Sequence, residues 1–451
     1  MWPFSSPLNL GPISDSFYEG HTLSLGPSDI RVLRLHRGSG QDDEITCTLE
    51  RRYFPPLSTT SNRRPGLDCM ALSYTWGDTA KNLRKILCNG DDFIVTKNLY
   101  SALYHLRSSH SDSFLWIDAV CVDQNNSSEK ATQVQRMGEI YSQALHTVIW
   151  LGDANLLSRE GLRACSKFAL NAGADPAALP TLLPRPPWWD PWELLPPFFL
   201  LLLLRCPYFT RIWIVQEAAL SRNLQIACGA ERISWSNFSL GAITILEAGF
   251  GSRGSAGIGN ILVARSLLPG APKSGYSDPA NVFKALKQHK VPQTKDILSL
   301  AILFRRSHAT DPVDKLFGLL GLCEQIQAGG TYAILPTYSR DDISHKSCVY
   351  ISTARRIMAA QNSLLLFSAV NRRPPSFLGD FVSFLRRIWL RERQAPALPT
   401  WVPDWNDSGS VATPLSLMLA QAHNVGVTHT QLDLTDPYKP RSVNCYCSAH
   451  R

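Results

Sequence analysis

The chain has 451 residues, of which 44% are hydrophobic and 18% are charged, and its formal net charge is +8. This composition excludes an intrinsically disordered chain and indicates a globular protein with room for two or three domains. The positive charge comes largely from arginine pairs spread along the sequence, such as Arg51-Arg52 and Arg305-Arg306. A nucleic-acid binder usually concentrates its charge on one helix or patch, so we expect no nucleic-acid partner.

The cysteines and the apolar runs indicate the cellular environment. Eleven cysteines lack CxxC spacing, which predicts free thiols in a reducing compartment and no structural zinc site. The N-terminus has no signal-peptide pattern, so we expect a cytoplasmic protein. The apolar run 194–204 contains two prolines and is shorter than the ~20 residues that span a bilayer. It predicts a buried helix and no membrane span.

The first third of the chain predicts strands and one helix. Residues 1–29 are rich in proline, serine and glycine, and we expect them to be loosely ordered. The alternating segments 30–35 and 45–49 predict a β-hairpin, and 71–76 predicts a third strand. Asn89-Gly90 between two apolar triplets is a strong signal for a second hairpin. After that hairpin, one helix face is predicted to carry Leu99, Leu103 and Leu106.

Residues 113–153 predict a βαβ unit. The apolar segment 114–117 and the segment 147–151 are typical of strands that are buried on both faces. Between them, Asn126 is a helix N-cap with Glu129 three positions later, which is a variant of the capping box. The two strands should be parallel with a right-handed crossover. The buried stripe of the helix is predicted to contain Val134, Met137, Ile140, Tyr141 and Ala144.

The rest of the chain continues the alternation and then becomes helical. A helix is predicted at 157–170 and another around 212–219, followed by a strand at 224–228. This alternation predicts an α/β fold with a mainly parallel sheet flanked by helices, to which β-hairpins are added. From residue 236 onward the pattern is mostly helical. Residues 249–254 match GxGxxG literally, but the dinucleotide fingerprint requires a strand before it, and residues 235–248 have a helical pattern. The match therefore predicts a helix end and a loop.

Three blocks resemble those of the fungal heterokaryon incompatibility (HET) domain. They are ALSYTWGD at 71–78, LWIDAVCVDQ at 115–124 with VIWLGD at 148–153, and RIWIVQEA at 211–218. Segments at 309–322, 335–341 and 398–405 are similar to regions that follow this domain in larger members, although Val313 stands where the family more often has arginine. The resemblance predicts a loosely ordered segment at 1–29, a HET domain at 30–235 and a helical C-terminal region at 236–451. It leaves open that this last region is truncated.

The resemblance implies a function and a fold. Members of the family take part in non-self recognition that ends in growth arrest or programmed death after incompatible cells fuse. Their fold is thought to be similar to flavodoxin-like TIR domains, some of which cleave NAD. The resemblance therefore implies no bound cofactor, NAD as a candidate substrate, and other incompatibility proteins or a second copy of the chain as partners.

Acidic residues follow several predicted strands. Asp78, Asp118, Asp123 and Asp153 come at or just after strand ends, and ligands of open parallel sheets bind beyond the carboxyl ends of the strands. Carboxylates gathered there should repel one another and raise some of their pKa values. A weaker alternative is a hydrolase that uses these aspartates with Mg²⁺.

Glu217 is the main catalytic candidate, together with Asp118. It follows Trp213 by four residues on one predicted helix face, a spacing that resembles the Trp-x-x-x-Glu arrangement of TIR domains. Cleavage of the nicotinamide–ribose bond develops positive charge on the sugar, which a fixed carboxylate stabilises. Arg211 is predicted to hold a pyrophosphate. The substrate-binding candidates are Tyr74, Trp76, Gly77, Asp78, Asp123, Arg211 and Trp213.

A purely structural interpretation stays open beside the enzymatic one. Arg211 and Glu217 could form a buried ion pair, and the tryptophans could fill the core, in a non-catalytic module that acts by recruiting partners. The enzymatic interpretation requires Asp78, Asp118 and Glu217 to meet around one hollow that solvent reaches.

Overall fold

The computed structural model describes twelve ranges of the chain, which form two compact units. The first unit contains residues 1–293 and 317–322, and the second contains 294–316 and 323–451. The described residues are 16–38, 44–54, 67–77, 81–174, 195–247, 296–323, 334–339, 342–361, 366, 369, 398–399 and 402–406.

The first unit is built on one sheet with helices around it. Its strands are β1 (Asp29–Leu35), β2 (Thr46–Tyr53), β3 (Leu67–Tyr74), β4 (Leu83–Cys88), β5 (Asp91–Thr96), β6 (Ser113–Trp116), β7 (Ala144–Trp150), β8 (Leu224–Cys228) and β9 (Glu231–Ser234). Its helices are α1 (Ser16–Gly20), α2 (Lys97–Leu106), α3 (Asp118–Cys121), α4 (Ser127–Gln143), α5 (Leu156–Ala174), α6 (Leu195–Leu204), α7 (Ile214–Leu220) and α8 (Trp235–Glu247).

The sheet is mixed, which corrects the prediction of a mainly parallel sheet. Its strand order is β5-β4-β2-β1-β6-β3-β7-β8-β9. The pairings β2–β4, β3–β6, β3–β7 and β7–β8 are parallel, whereas β1–β2, β1–β6, β4–β5 and β8–β9 are antiparallel. The predicted hairpins join the sheet itself and bring antiparallel pairs with them. Three of the four parallel pairings form the central block β6-β3-β7-β8, whose strands stand in the order second, first, third, fourth along the chain.

Both predicted hairpins are confirmed. β1 and β2 pair in antiparallel register from Asp29↔Tyr53 to Leu35↔Cys47. β4 and β5 meet at Asn89 and Gly90, whose φ angles of 54° and 91° give the left-handed conformations that a tight two-residue turn requires. Strand β9 and helix α1 had no counterpart in the sequence patterns.

The predicted βαβ unit is also present, with one addition. β6, α4 and β7 follow one another as expected, but β3 lies between the two strands and pairs in parallel with both. The Asn126 side chain accepts a hydrogen bond from the backbone N–H of Glu129 at 3.0 Å, which caps α4. The predicted stripe of α4 is buried: Val134, Met137, Ile140, Tyr141 and Ala144.

The far side of the first unit is a helical layer against β8 and β9. Helices α5, α6 and α8 share a buried apolar cluster with β7, β8 and β9. The predicted helix in the leucine run is α6, with Leu200 and Leu204 buried and Phe198 52% exposed. Among the helices that the structure describes, none combines the length and the apolar character needed to cross a bilayer.

A short segment from beyond residue 300 completes this unit. The 3₁₀ turn Leu320–Leu322 lies against α4 so closely that a Cβ on Gly138 would stand 2.9 Å from the Cα of Gly321. The backbone N–H of Gly321 donates to the Gln216 side chain at 3.1 Å. The block at 309–322, set apart in the sequence, therefore contributes its last residues to the sheet-containing unit.

In the second unit the described elements are helical. They are α9 (Ile297–Leu303), α10 (Asp314–Phe317), where the chain passes into the first unit, and α11 (Asp342–Gln361). Asp296 caps α9 by accepting from the backbone N–H of Ser299 at 3.0 Å. Residues 249–254, with their literal GxGxxG match, lie outside the described residues.

Candidate functional site

The site lies where β3, β6 and the segment leading into α7 meet. β3 and β6 are parallel neighbours in the register Met70↔Leu115 and Ala71↔Trp116, so their carboxyl ends lie side by side. The chain leaves β3 through Thr75-Trp76-Gly77 and leaves β6 into α3, whose first residue is Asp118. Helix α7 then brings Glu217 against β3.

Glu217 is buried against the middle of the sheet and is 2% exposed. The Ser73 hydroxyl on β3 donates a hydrogen bond to its Oε2, and the Tyr208 hydroxyl lies 2.6 Å from the same Ser73 oxygen. With Ser73 donating to Glu217, Tyr208 donates to Ser73, which gives a relay of two hydroxyls that ends on the carboxylate. Burial raises the pKa of Glu217 from 4.5 to about 7, against the opposing effect of Arg211.

Asp118 is the more open of the two carboxylates. It is half-buried and accepts hydrogen bonds from the Trp76 indole at 2.9 Å and from the backbone N–H of Ala119 at 2.8 Å. Burial raises the pKa of Asp118, while the charge of Arg211 lowers it. The charge of Asp118 in turn raises the pKa of Glu217, so the two carboxylates interact electrostatically.

Arg211 supplies the positive charge of the site. Its side chain is half-buried, and its Nη1 donates to the carbonyl oxygen of Tyr74 at the end of β3. The same charge acts on both Asp118 and Glu217. Tyr74 is itself buried, and burial together with the Asp118 charge raises the pKa of its phenol. The predicted ion pair of Arg211 with Glu217 is therefore an interaction through space, with the guanidinium hydrogen-bonded to backbone.

Trp213 lies at the start of the helix that carries Glu217. It is half-buried at the N-cap position of α7, and the backbone N–H of Glu217 donates to its carbonyl at 3.2 Å. The two residues are thus one helical turn apart, as their spacing predicted. Trp76 is also half-buried and lies beside Asp118 through its indole hydrogen bond.

The predicted residues Asp123 and Asp153 make their contacts elsewhere. Asp123 is buried beside Glu129 and Arg31, where burial raises its pKa. The backbone N–H of Asp123 donates to Glu129, so it belongs to a second cluster at the start of α4. Asp153 is 60% exposed at the end of β7, where the Ser101 hydroxyl of α2 donates to it. Gly77 is exposed with φ of 79°, and Asp78 lies outside the described residues.

The geometry adds residues that the sequence patterns did not single out. Ser73 and Tyr208 donate toward Glu217, and Tyr141 on α4 is buried nearby, where burial and the Glu217 charge raise its pKa. A serine inside an otherwise apolar strand was the one available signal for Ser73, because a buried hydroxyl needs a partner. Tyr208 and Tyr141 looked like ordinary core residues.

Asn98 was also missed, and it occupies the gap between two strand ends. Its amide donates to the carbonyl of Thr75 at 2.6 Å, and its Oδ1 accepts from the Trp150 indole at 3.0 Å. It therefore ties α2 to the ends of both β3 and β7, between which the order of the parallel strands reverses. Among the residues that the structure describes, no group of three histidine, cysteine or acidic side chains is arranged to hold a metal ion.

Residues of this site lie within a segment that matches a known protein family. The profile described as "Heterokaryon incompatibility protein (HET)" matches residues 70–217. The match starts in β3 and ends on Glu217, and it contains Ser73, Asp118 and Arg211. Residues 70–217 therefore match the HET domain.

A curated relative extends the likeness beyond the HET domain. Heterokaryon incompatibility protein 6, OR allele, of Neurospora crassa is 26% identical over 445 residues, which covers 86% of this chain. The chain spans 59% of the length of that relative. No solved structure gives a significant match to this chain.

Proposed function

We propose that this chain is an effector of heterokaryon incompatibility, which promotes growth arrest or death after incompatible fungal cells fuse. The HET domain supports this proposal, and so does the relative of Neurospora crassa, whose name assigns it to heterokaryon incompatibility. Expression of the full chain in a fungal host is the test. Arrest of growth is expected, and unimpaired growth at confirmed expression contradicts the proposal.

The biochemical activity that we assign to the site is cleavage of NAD between nicotinamide and ribose. One observation carries it: two electrostatically coupled carboxylates and an arginine lie together near the carboxyl ends of parallel strands, and one of these residues, Asp118, is only partly buried. The strand order second, first, third, fourth is the order at the start of flavodoxin-like sheets, which bind ligands at such ends. This order supports the TIR-like interpretation.

The role that we assign to each residue follows from how far its side chain is exposed. As the bond to nicotinamide breaks, positive charge develops on the ribose, and water then adds to the sugar carbon. The Asp118 carboxylate is placed to stabilise that charge, and Arg211 is placed to attract the pyrophosphate. Glu217 is more deeply buried and acts as a positioning residue, because its charge contributes to the electrostatic field around Asp118 and Arg211. Ser73 and Tyr208 hold Glu217 in place.

An assay of nicotinamide release from NAD by the purified full chain tests this activity. Asp118→Asn is expected to abolish release, and Glu217→Gln is expected to reduce it strongly, with thermal unfolding measured in parallel. Asp153→Asn is the matched control, since Asp153 also follows a parallel strand but is 60% exposed and contacts Ser101 and His105 instead of the residues of the site. The assignment is overturned by absence of turnover in wild type, including in a crowded buffer, or by full activity of Asp118→Asn.

The 2% exposure of Glu217 favours a second candidate function, a non-catalytic module that acts through protein partners or a second copy of the chain. A carboxylate sealed in this way does not open onto a hollow that solvent reaches, which the enzymatic interpretation requires. If the module interpretation holds, arrest in the fungal host persists in both Asp118→Asn and Glu217→Gln. If NAD cleavage causes the arrest, both variants relieve it.

A further inference from the structure

A cavity lies at β2 and β4, near the opposite end of the sheet from Glu217 and Asp118. Its volume is about 480 Å³, and it is lined by residues of β2, by Leu87 of β4 and by the β4–β5 turn, with His21 just after α1 and His36 just after β1. Cys47, Thr48, Asn89 and the imidazoles of His21 and His36 contribute to its wall. The size is ample for a small oxidant to enter, since cavities of a few hundred Å³ hold whole ligands.

Cys47, which lines this cavity, stands opposite a second cysteine, Cys88, on the neighbouring strand. β2 and β4 are parallel and paired at two positions, Thr46↔Leu87 and Cys47↔Cys88. Paired residues of neighbouring strands point to the same face of a sheet, so the two thiols face the same way. Both thiols are free and buried; the Cys47 thiol donates to the carbonyl of Leu87 at 3.5 Å, and the Cys88 thiol donates to the Asn89 Oδ1 at 3.7 Å.

The backbone spacing suits a covalent link between them. Neighbouring strands lie about 4.8 Å apart, and the Cα atoms of a disulfide are usually about 4.4–6.8 Å apart. In a parallel pair the Cβ atoms keep the strand spacing, which is slightly above the usual upper limit of about 4.5 Å for a disulfide. A small approach of the two strands is therefore sufficient, and β4 belongs to a hairpin that is joined to β2 by this short pairing alone among the described strands.

We propose that Cys47 and Cys88 form a redox pair, which a peroxide entering the cavity converts into a cross-strand disulfide. The Cys47 sulfur attacks one peroxide oxygen, the O–O bond breaks, and the Cys47 proton leaves with the departing oxygen as water. The Cys88 sulfur then attacks the Cys47 sulfenic acid, the S–S bond forms, and the S–O bond breaks to release a second water that carries the Cys88 proton. Two thiols are oxidised and one hydrogen peroxide is reduced.

The disulfide would lock one peripheral part of the sheet. It would join residues 47 and 88 and thereby fasten the β4–β5 hairpin to β2 at their only two paired positions. Helix α2 follows this hairpin directly and carries Asn98, which contacts the ends of β3 and β7. Oxidation thus acts on the element that reaches over the carboxyl ends of the central strands. The inference does not depend on NAD cleavage.

Peptide mapping of the full chain after treatment with hydrogen peroxide tests the proposal. After trypsin digestion without reduction, a linked pair of peptides 38–51 and 86–97 is expected, with a mass about 2 Da below the sum of the two thiols. Dithiothreitol should restore the separate peptides. The oxidised chain should also unfold at a temperature higher by an amount on the order of 5 °C, because the link restricts the unfolded chain.

The pH dependence and a matched variant sharpen the test. The neighbouring Cys88 thiol and burial raise the pKa of Cys47, and the thiolate is the reacting form. The rate should therefore increase with pH, by about tenfold per unit. Cys88→Ser should lose the linked peptide and the thermal shift. Cys206→Ser, at a half-buried thiol on another part of the unit, should keep both. The proposal is overturned if folded wild type keeps both thiols after prolonged peroxide treatment at pH 9, or if Cys47 pairs with another cysteine.

Discussion

Two acidic residues of the first unit, Glu129 and Glu217, are held in opposite ways. Glu129 faces a guanidinium: Arg31, 1% exposed, reaches its two oxygens at 2.5 and 2.8 Å. Glu217 accepts instead from the neutral Ser73 hydroxyl, while Arg211 acts on it through space and donates to the backbone. One carboxylate is compensated by a direct ion pair. The other is buried with weaker compensation and binds a proton near neutral pH.

This difference separates structural from functional charge. The Arg31–Glu129 pair links α4 to β1, and Arg31 also donates to the carbonyls of Leu23 and Cys121. The charges of this pair are therefore satisfied within the fold. A carboxylate with a pKa of about 7 costs stability and is the kind of group that working sites contain. Four substitutions, in order of decreasing effect, test whether the two clusters differ in this way.

Arg31→Met should have the largest effect. It removes a buried cation and takes the guanidinium donor away from Glu129 and from two carbonyls, which costs about 3–5 kcal/mol of unfolding free energy. Urea denaturation at pH 7 measures it. Arg34→Met on the same strand is the control, because Arg34 is 44% exposed in its ion pair with Asp112 and should cost about 1 kcal/mol or less. Equal losses in the two variants would falsify the distinction between buried and surface pairs.

Glu217→Gln should stabilise the protein in a pH-dependent manner. The carboxyl has its ordinary pKa of 4.5 when unfolded and about 7 when folded, so the folded state binds the extra proton between these values. The stability that this carboxyl contributes is fully present below pH 4.5 and is lost as the pH rises to 7. Between pH 4.5 and 8, Glu217→Gln should therefore gain about 3 kcal/mol relative to wild type. Unfolding curves across this range measure the gain, and a constant difference contradicts the raised pKa.

Ser73→Ala should affect the same carboxylate by removing its hydrogen-bond donor. The Ser73 hydrogen bond lowers the pKa of Glu217, so its loss should raise that pKa further and destabilise the folded state at pH 8 by about 1–3 kcal/mol. Tyr208→Phe is the matched control, because it removes the outer hydroxyl of the relay and leaves the Ser73 donor in place. Denaturation at pH 5 and pH 8 should show a pH-dependent loss for Ser73→Ala and a smaller one for Tyr208→Phe.

Asp118→Asn should have the smallest effect on stability. Burial raises the pKa of Asp118 as it does for Glu217, so the substitution should also help at higher pH. Because Asp118 is half-buried and already accepts from Trp76 and Ala119, the change should be below about 1 kcal/mol. A large loss of nicotinamide release together with this small change in stability is the combination expected of a catalytic residue. A change as large as that of Glu217→Gln would mean that the two carboxylates are equally enclosed.

Local patterns in the sequence predicted much of this unit. The Asn89-Gly90 turn, the Asn126 cap and the stripes of α2 and α4 depend on neighbours within a few residues, and all are present as expected. The sheet was predicted less well. The insertion of β3 between β6 and β7 and the antiparallel attachment of β1 to β6 are contacts between distant segments, which periodicity does not encode.

The same division runs through the candidate site. The sequence by itself determined that acidic residues follow the strands and that Trp213 and Glu217 lie one helical turn apart, because strand ends and helical spacing are local properties. Only the tertiary structure decided that Glu217 is buried while Asp118 is partly exposed. It also decided that Asp123 lies beside Arg31 and Glu129. The hydroxyls near Glu217, those of Ser73 and Tyr208, come from segments distant in the chain. The physical reason is that burial, hydrogen-bond partners and pKa depend on which distant segments pack together, and no spacing along the chain specifies that packing.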